Sequence, residues 1–175
     1  MPRYRIDPER SQVWIEARSN VHPIHSSTDG LEGYIDLEAG GGGEVDLTGQ
    51  PAGKLSLPVS RLSSGNRLED RELHKRIDAR RFPTIDGVLT HMDRVGTDSR
   101  YRVTGDVAFR GVMKRVEDGM TVSFVDETVR LGGESTFNIR DFGMEPPRIL
   151  MLKVEPEVKV RVEIVAVLEP VEHQG

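Results

Sequence analysis

Five histidines are the side chains best suited to proton transfer or metal ligation, and two of them share the run His22-Pro23-Ile24-His25. Imidazoles at that spacing could supply part of a zinc centre and so support a metal-assisted hydrolase. Catalytic zinc takes three protein ligands, and neither a cysteine nor a His-Glu-x-x-His run provides the rest. The expected metal set is therefore none, and His22 and His25 read as a solvated loop ahead of the Asp29-Gly30 turn. His74 and His91 could each act as a general base. A base needs a nucleophile within reach, and the chain has no Gly-x-Ser-x-Gly elbow. His173 falls in a polar tail without a companion. Asp70 and Asp78 stand two helical turns apart, where Arg71, Lys75 and Arg80 offer ordinary ion pairs. No catalytic residue and no cofactor emerge.

Other chemistries are excluded on similar grounds. Gly30-Leu31-Glu32-Gly33 and the Gly40–Gly43 run lack the Gly-Lys-Ser/Thr ending of a phosphate cradle and read as turns. Lys75, Arg76, Arg80 and Arg81 form the most basic cluster, but no aromatics are interleaved with them and the chain carries a net charge of -5. Nucleic acid is thus not an expected partner. A helix at a barrel mouth would instead let Arg80 and Arg81 meet an anionic head group. Trp14, the single tryptophan, falls out of phase with Val13 and Ile15 and points outward. It fits a homodimer interface or a surface aromatic packed under a loop.

These residues must be positioned by strands. Across the C-terminal stretch Val158, Val160, Val162 and Ile164 alternate with Lys159, Arg161 and Glu163. A period of two marks a strand with one dry face, and about eleven residues at roughly 3.3 Å each span some 36 Å. The same pattern recurs around Val13 and Ile15, Leu55 to Val59, and Val103 to Phe109. Shorter strands are expected at Met120 to Phe124, Val129 to Leu131 and Phe137 to Ile139, with turns at Asp118-Gly119 and Gly132-Gly133. Gly105 falls on an inward face, where a missing side chain lets a sheet coil tightly. One interval differs: Leu73 and Ile77 sit four apart, Asn66 and Glu69 suggest a capping box, and Pro83 forbids continuation. This predicts a helix of about four turns over residues 66–81.

A chain of 175 residues with 36% hydrophobic composition suits a single domain. The expected fold is all-β, an extended eight-stranded antiparallel lipocalin-like barrel with one helical insert, because closure removes exposed edges. Val13, Ile15, Leu55, Leu57 and Val59 would line its lumen from the first half of the chain. Val103, Val107, Phe109, Val122 and Phe124 follow from the middle, and Phe137, Val158, Val160 and Val162 from the last strands. No stretch approaches the roughly 18 apolar residues of a membrane span. The opening residues carry Arg3, Arg5, Asp7, Glu9 and Arg10 rather than an apolar core, so cytoplasmic residence is expected.

Several runs, in order, resemble the YceI-like family of lipid-binding barrels. Tyr4-Arg5-Ile6-Asp7, Gly30 to Ile35 and Ser60 to Gly65 match its early segments. Asp70 to Leu73, Ile77-Asp78 and Phe82-Pro83-Thr84 match its helical stretch. Val103 to Gly105, Phe109 to Val112 with Lys114, and Phe137 to Gly143 complete the set. The resemblance implies an eight-stranded barrel with a helical insert, usually dimeric, whose tunnel holds a polyisoprenoid or similar long-chain lipid. Arg10-Ser11 stands where the family often has His-Ser, and the segment 40–53 is longer and more polar.

Overall fold

The C-terminal alternation forms the strand around which the rest is organised. The computed structural model describes residues 1–96, 98–149 and 151–170, the Ile149 side chain aside, so His173 lies outside the described residues. In chain order come β1 (Arg3–Ile6), β2 (Gln12–Ser19), β3 (Ile24–Thr28), β4 (Glu32–Asp36), β5 (Glu38–Ala39), β6 (Val45–Asp46) and β7 (Ala52–Pro58). Helix α1 (Arg67–Ile77) follows, then β8 (Thr84–Arg94), β9 (Arg100–Phe109), β10 (Val112–Val125), β11 (Thr128–Asn138), β12 (Arg148–Ile149) and β13 (Leu152–Leu168).

Strands β1-β4-β7-β8-β9-β10-β11-β13 form an antiparallel ring of eight, closed by pairing of β13 with β1. Tyr4 lies opposite Leu168 and Ile6 opposite Ala166. Further back along β13 the partner changes to β2, with Val13 opposite Val162 and Ile15 opposite Val160. Ser11 manages the changeover: its buried hydroxyl donates to the Val165 carbonyl (3.2 Å) and accepts from the Val165 N–H (3.0 Å). The ladder with β2 is irregular between Val154 and Val158, where Pro156 has no N–H to give. At 17 residues, β13 is longer than the alternation suggested, and near its end Ile164, Val165 and Ala166 are buried in succession, so both faces are covered there.

Two expected turns are not turns. Asp118-Gly119 and Gly132-Gly133 lie inside β10 and β11, with Met120 opposite Gly133. A Cβ at Gly133 would sit 3.0 Å from Met120 Cγ and 3.2 Å from the Gly119 carbonyl oxygen, so this glycine serves close approach rather than reversal. The reversal falls instead at Arg110-Gly111, where both residues have positive φ (52° and 75°), as a two-residue hairpin requires.

Helix α1 starts as expected, with the Asn66 side chain accepting from the Leu68 and Glu69 N–H groups. The reciprocal half of the capping box is replaced by Ser64 Oγ, which accepts from the Asn66 N–H (3.3 Å). The helix ends after three turns rather than four because Asp78 adopts the left-handed conformation. Asp70 makes no ion pair with the neighbouring cations. It accepts from Ser64 N–H (2.8 Å), Ser64 Oγ (2.7 Å) and Ser63 Oγ (3.1 Å), while His74 Nε2 meets the Leu62 carbonyl at 3.1 Å. These contacts fasten α1 to the segment after β7.

One end of the barrel is solid. Leu37, Val45, Tyr101, Val122 and Val129 are fully buried there, and the Val45 N–H donates to Tyr101 Oη (2.9 Å). The Gly40–Gly43 run forms the tip of the β5–β6 hairpin at this end rather than a free loop. Among the described residues no helix is long and apolar enough to cross a membrane.

Candidate ligand-binding cavity

The other part of the barrel is hollow, with a cavity of about 430 Å³, within the roughly 300–1,000 Å³ typical of small-molecule sites. Its wall is built in rows across the strands. Val13, Val162, Gly133 and Met120 make one row. Ile15, Val160 and Ser135 lead the next, which continues through Asp118 and Val103. Ala17, Val158 and Phe137 form a third. Opposite them Leu55 and Leu57 of β7 lie beside β8, and Val107 faces Gly87. Gly105 is forced at this wall, since a Cβ there would lie 2.7 Å from the Val88 carbonyl oxygen.

Of the residues expected to face the lumen, Val13, Ile15, Leu55, Leu57, Val103 and Val107 line this cavity, as do Phe109, Phe137, Val158, Val160 and Val162. Three do not. Val122 and Phe124 point inward but at the solid end, where Phe124 packs 6.1 Å from Tyr4. Val59 is fully buried in the short 3₁₀ turn after β7. Alternation tells which side of a strand is dry, and it does not tell at which height the interior is empty. Residues outside the expected set also reach the cavity: Leu73 and Ile77 from α1, Leu62 from the loop before it, and Phe142 and Met144 near the 3₁₀ turn Ile139–Phe142. The four-residue spacing of Leu73 and Ile77 already marked a dry helix face. Phe142 stands edge-on to Phe109 at 5.6 Å, and Arg110 donates from Nη1 to the Phe142 and Gly143 carbonyls, tying the β9–β10 turn to this aromatic corner.

The electrostatic character of the cavity is one-sided. Among the described residues every ionisable residue of its lining is acidic, namely Glu69, Asp70, Asp86, Asp106, Asp118 and Glu134, of which Asp86, Asp106 and Glu134 fall between the inward residues of their strands. Arg80 and Arg81, expected at a head group, do not line it. The helix has already ended at Ile77, both arginines are exposed in the turn beyond, and Arg81 lies over the Phe82 ring at 5.3 Å. Burial would raise the Asp70 carboxyl, but hydrogen bonds from Ser64 and Ser63, with a smaller contribution from His74, outweigh it and hold the group below the usual carboxylate range.

The candidate chemical groups do not assemble. His22 Nδ1 meets the Pro23 carbonyl at 2.9 Å, and the exposed His25 lies 3.9 Å from Glu16. His91 pairs with Asp93 at 2.9 Å on the outer surface. Among the described residues no three His, Asp or Glu side chains are placed to hold a metal. Trp14 is half-buried on the outer face, with the Arg161 guanidinium 4.2 Å from its ring centroid.

A model of the YceI-like domain matches residues 4–166. The chain belongs to the YceI-like family. Solved structures with this architecture share little sequence with the YceI-like chain. BcnA of Burkholderia cenocepacia superposes with a TM-score of 0.77 at 16% identity, covering 93% of this chain and 99% of its own. A polyisoprenoid binding domain from Saccharophagus degradans, implicated in plant cell wall breakdown, gives 0.75 at 13% identity, covering 95% and 98%. A YceI protein of Campylobacter jejuni gives 0.65 at 12% identity, covering 83% and 85%. Among curated proteins none matches.

Proposed function

We propose that this YceI-like chain binds a long-chain apolar lipid, of polyisoprenoid or fatty-acyl type, inside the barrel, and carries or sequesters it. The observation that carries the reading is a cavity lined by inward aliphatic and aromatic side chains of β2, β7, β9, β11 and β13. Burying a chain there contributes about 0.8 kcal/mol per methylene, so affinity is gained along the length of the ligand rather than at one contact. The fold shared with a polyisoprenoid binding domain supports the same reading. No observation favours a hydrolase built on His22 and His25 or an empty interaction module.

Organic extraction of the purified chain followed by mass spectrometry tests this, with a stoichiometric prenyl or acyl lipid as the expected result. Titration of delipidated protein with prenyl and acyl chains, read by displacement of a fluorescent apolar probe, supplies the second arm. A chain that retains no lipid and displaces the probe with none of them overturns the proposal.

A further inference from the structure

The inward face of β10 reads Val116, Asp118, Met120, Val122, Phe124, so a carboxylate interrupts an otherwise apolar row. Across from it on β11, Ser135 stands between Gly133 and Phe137. Both residues line the cavity, and Ser135 Oγ donates to Asp118 Oδ2. At this height the neighbours are Val103 beside Asp118 and Val160 beside Ser135, with Ile15 beyond Val160. An ionised carboxylate among such neighbours is costly unless its oxygens are used. One oxygen is used by Ser135, and among the described residues the other has no hydrogen-bond donor.

The remaining acids of the lining are already engaged or lie at the helix. Asp106 pairs with Arg115, Glu134 with Lys159, Asp86 accepts from Thr84 Oγ1, and Asp70 holds Ser63 and Ser64. Glu69 lines the cavity from α1. Asp118 alone sets a charge in the wall of the barrel between aliphatic rows, and no lysine, arginine or histidine among the described residues lines the space it faces. With its hydroxyl hydrogen given to Asp118, Ser135 has only lone pairs left to offer. The pair therefore presents acceptors and no donor.

We propose that Asp118 and Ser135 receive an uncharged hydroxyl carried on the apolar chain, and that the cavity rejects anionic head groups such as phosphate or carboxylate. This rests on the lipid-binding reading and adds the ligand's polar chemistry to it. A phosphate at this height would meet a carboxylate with no cation to neutralise either. An alcohol satisfies the free oxygen with one charge-assisted hydrogen bond.

The pair also sits where the β10–β11 ladder ends, at Met120 opposite Gly133, so it could serve only as a clasp between diverging strands. Farnesene, farnesol and farnesyl phosphate, which share one chain, separate these roles when each displaces a fluorescent apolar probe from the full chain. Farnesol is expected to bind about tenfold tighter than farnesene, the scale of one hydrogen bond to a charged group, and farnesyl phosphate weakest. Asp118→Leu should abolish the preference for farnesol over farnesene, Asp118→Asn should lessen the rejection of the phosphate, and a far-ultraviolet circular dichroism spectrum like that of the wild type reports that each variant is folded. Equal binding of all three ligands, or a farnesol preference that survives Asp118→Leu, overturns the inference while leaving lipid binding intact. A variant that loses stability yet keeps the wild-type ligand order assigns the pair to the clasp. If Asp118→Leu fails to fold, Ser135→Ala decides by the same ligand order: an order like that of the wild type overturns the inference. Failure of all three ligands on the wild-type chain refutes the lipid-binding reading itself.

Discussion

Single side chains in this barrel act by where along a strand they fall. Ser11 is the clearest case, because its hydroxyl stands in for a rung of ladder where β13 leaves β1 and takes up β2. Ser11→Ala would leave the Val165 N–H without this partner in a buried setting, while the carbonyl keeps the Asp7 N–H at 2.8 Å, at a cost of about 1–3 kcal/mol. Chemical denaturation should show that loss as a lower midpoint with an unchanged slope. Nothing in the residue type announced the role, since a serine at a strand end is ordinary and its partner lies 154 positions away. Asp118 was obscured differently: Asp-Gly is a common reversal pair, and only the register of β10 against β9, Asp118 opposite Val103, puts it on the wall. A carboxylate in phase with Val116 and Met120 was visible in the sequence once the strand was read through the glycine.

At the scale of elements, α1 is fastened to the β7–α1 connection by polar contacts as much as by the burial of Leu73 and Ile77. Asp70 is the centre of that attachment. Its carboxyl titrates below the usual range in the folded chain, so its contribution is fully present above the unfolded value and is lost as pH falls through the lowered one. Wild type should therefore exceed Asp70→Asn in stability near neutral pH, and the two should converge in acid, as thermal melts across pH would show. A gap that persists unchanged through the acid range would remove the ionised carboxyl from the account. The existence of this helix was legible from Leu73, Ile77, the Asn66 cap and Pro83. Its length was not, because the stop is a left-handed Asp78 five residues before the proline.

For the whole molecule, the division into a solid and a hollow part has separable consequences. Val122→Ala at the solid end should cost about 1–3 kcal/mol and leave ligand content little changed, because that side chain is fully packed. Val160→Trp should fill the cavity, keep the fold and exclude the lipid, which extraction of the two variants side by side would reveal. The sequence carried the inward and outward faces of β2, β7, β9 and β13 and of parts of β10 and β11, and with them the barrel, whereas β8 between β7 and β9 was not read from it. Height along the axis depends on how the registers add up around the ring, so Val122 and Phe124 looked equivalent to Val160 and Val162. The same ring fixes an order of events during synthesis. Residues 158–162 supply one wall of the cavity, and the strand that bears them is also the one that meets Tyr4 and Ile6. Until translation has delivered that strand, the earlier ones form an open sheet with its apolar side uncovered, and closure must join segments from the two ends of the chain, a slow kind of contact to make. Cargo can be enclosed only after this step, so a growing chain would need shelter for that surface before it has any lipid to hold.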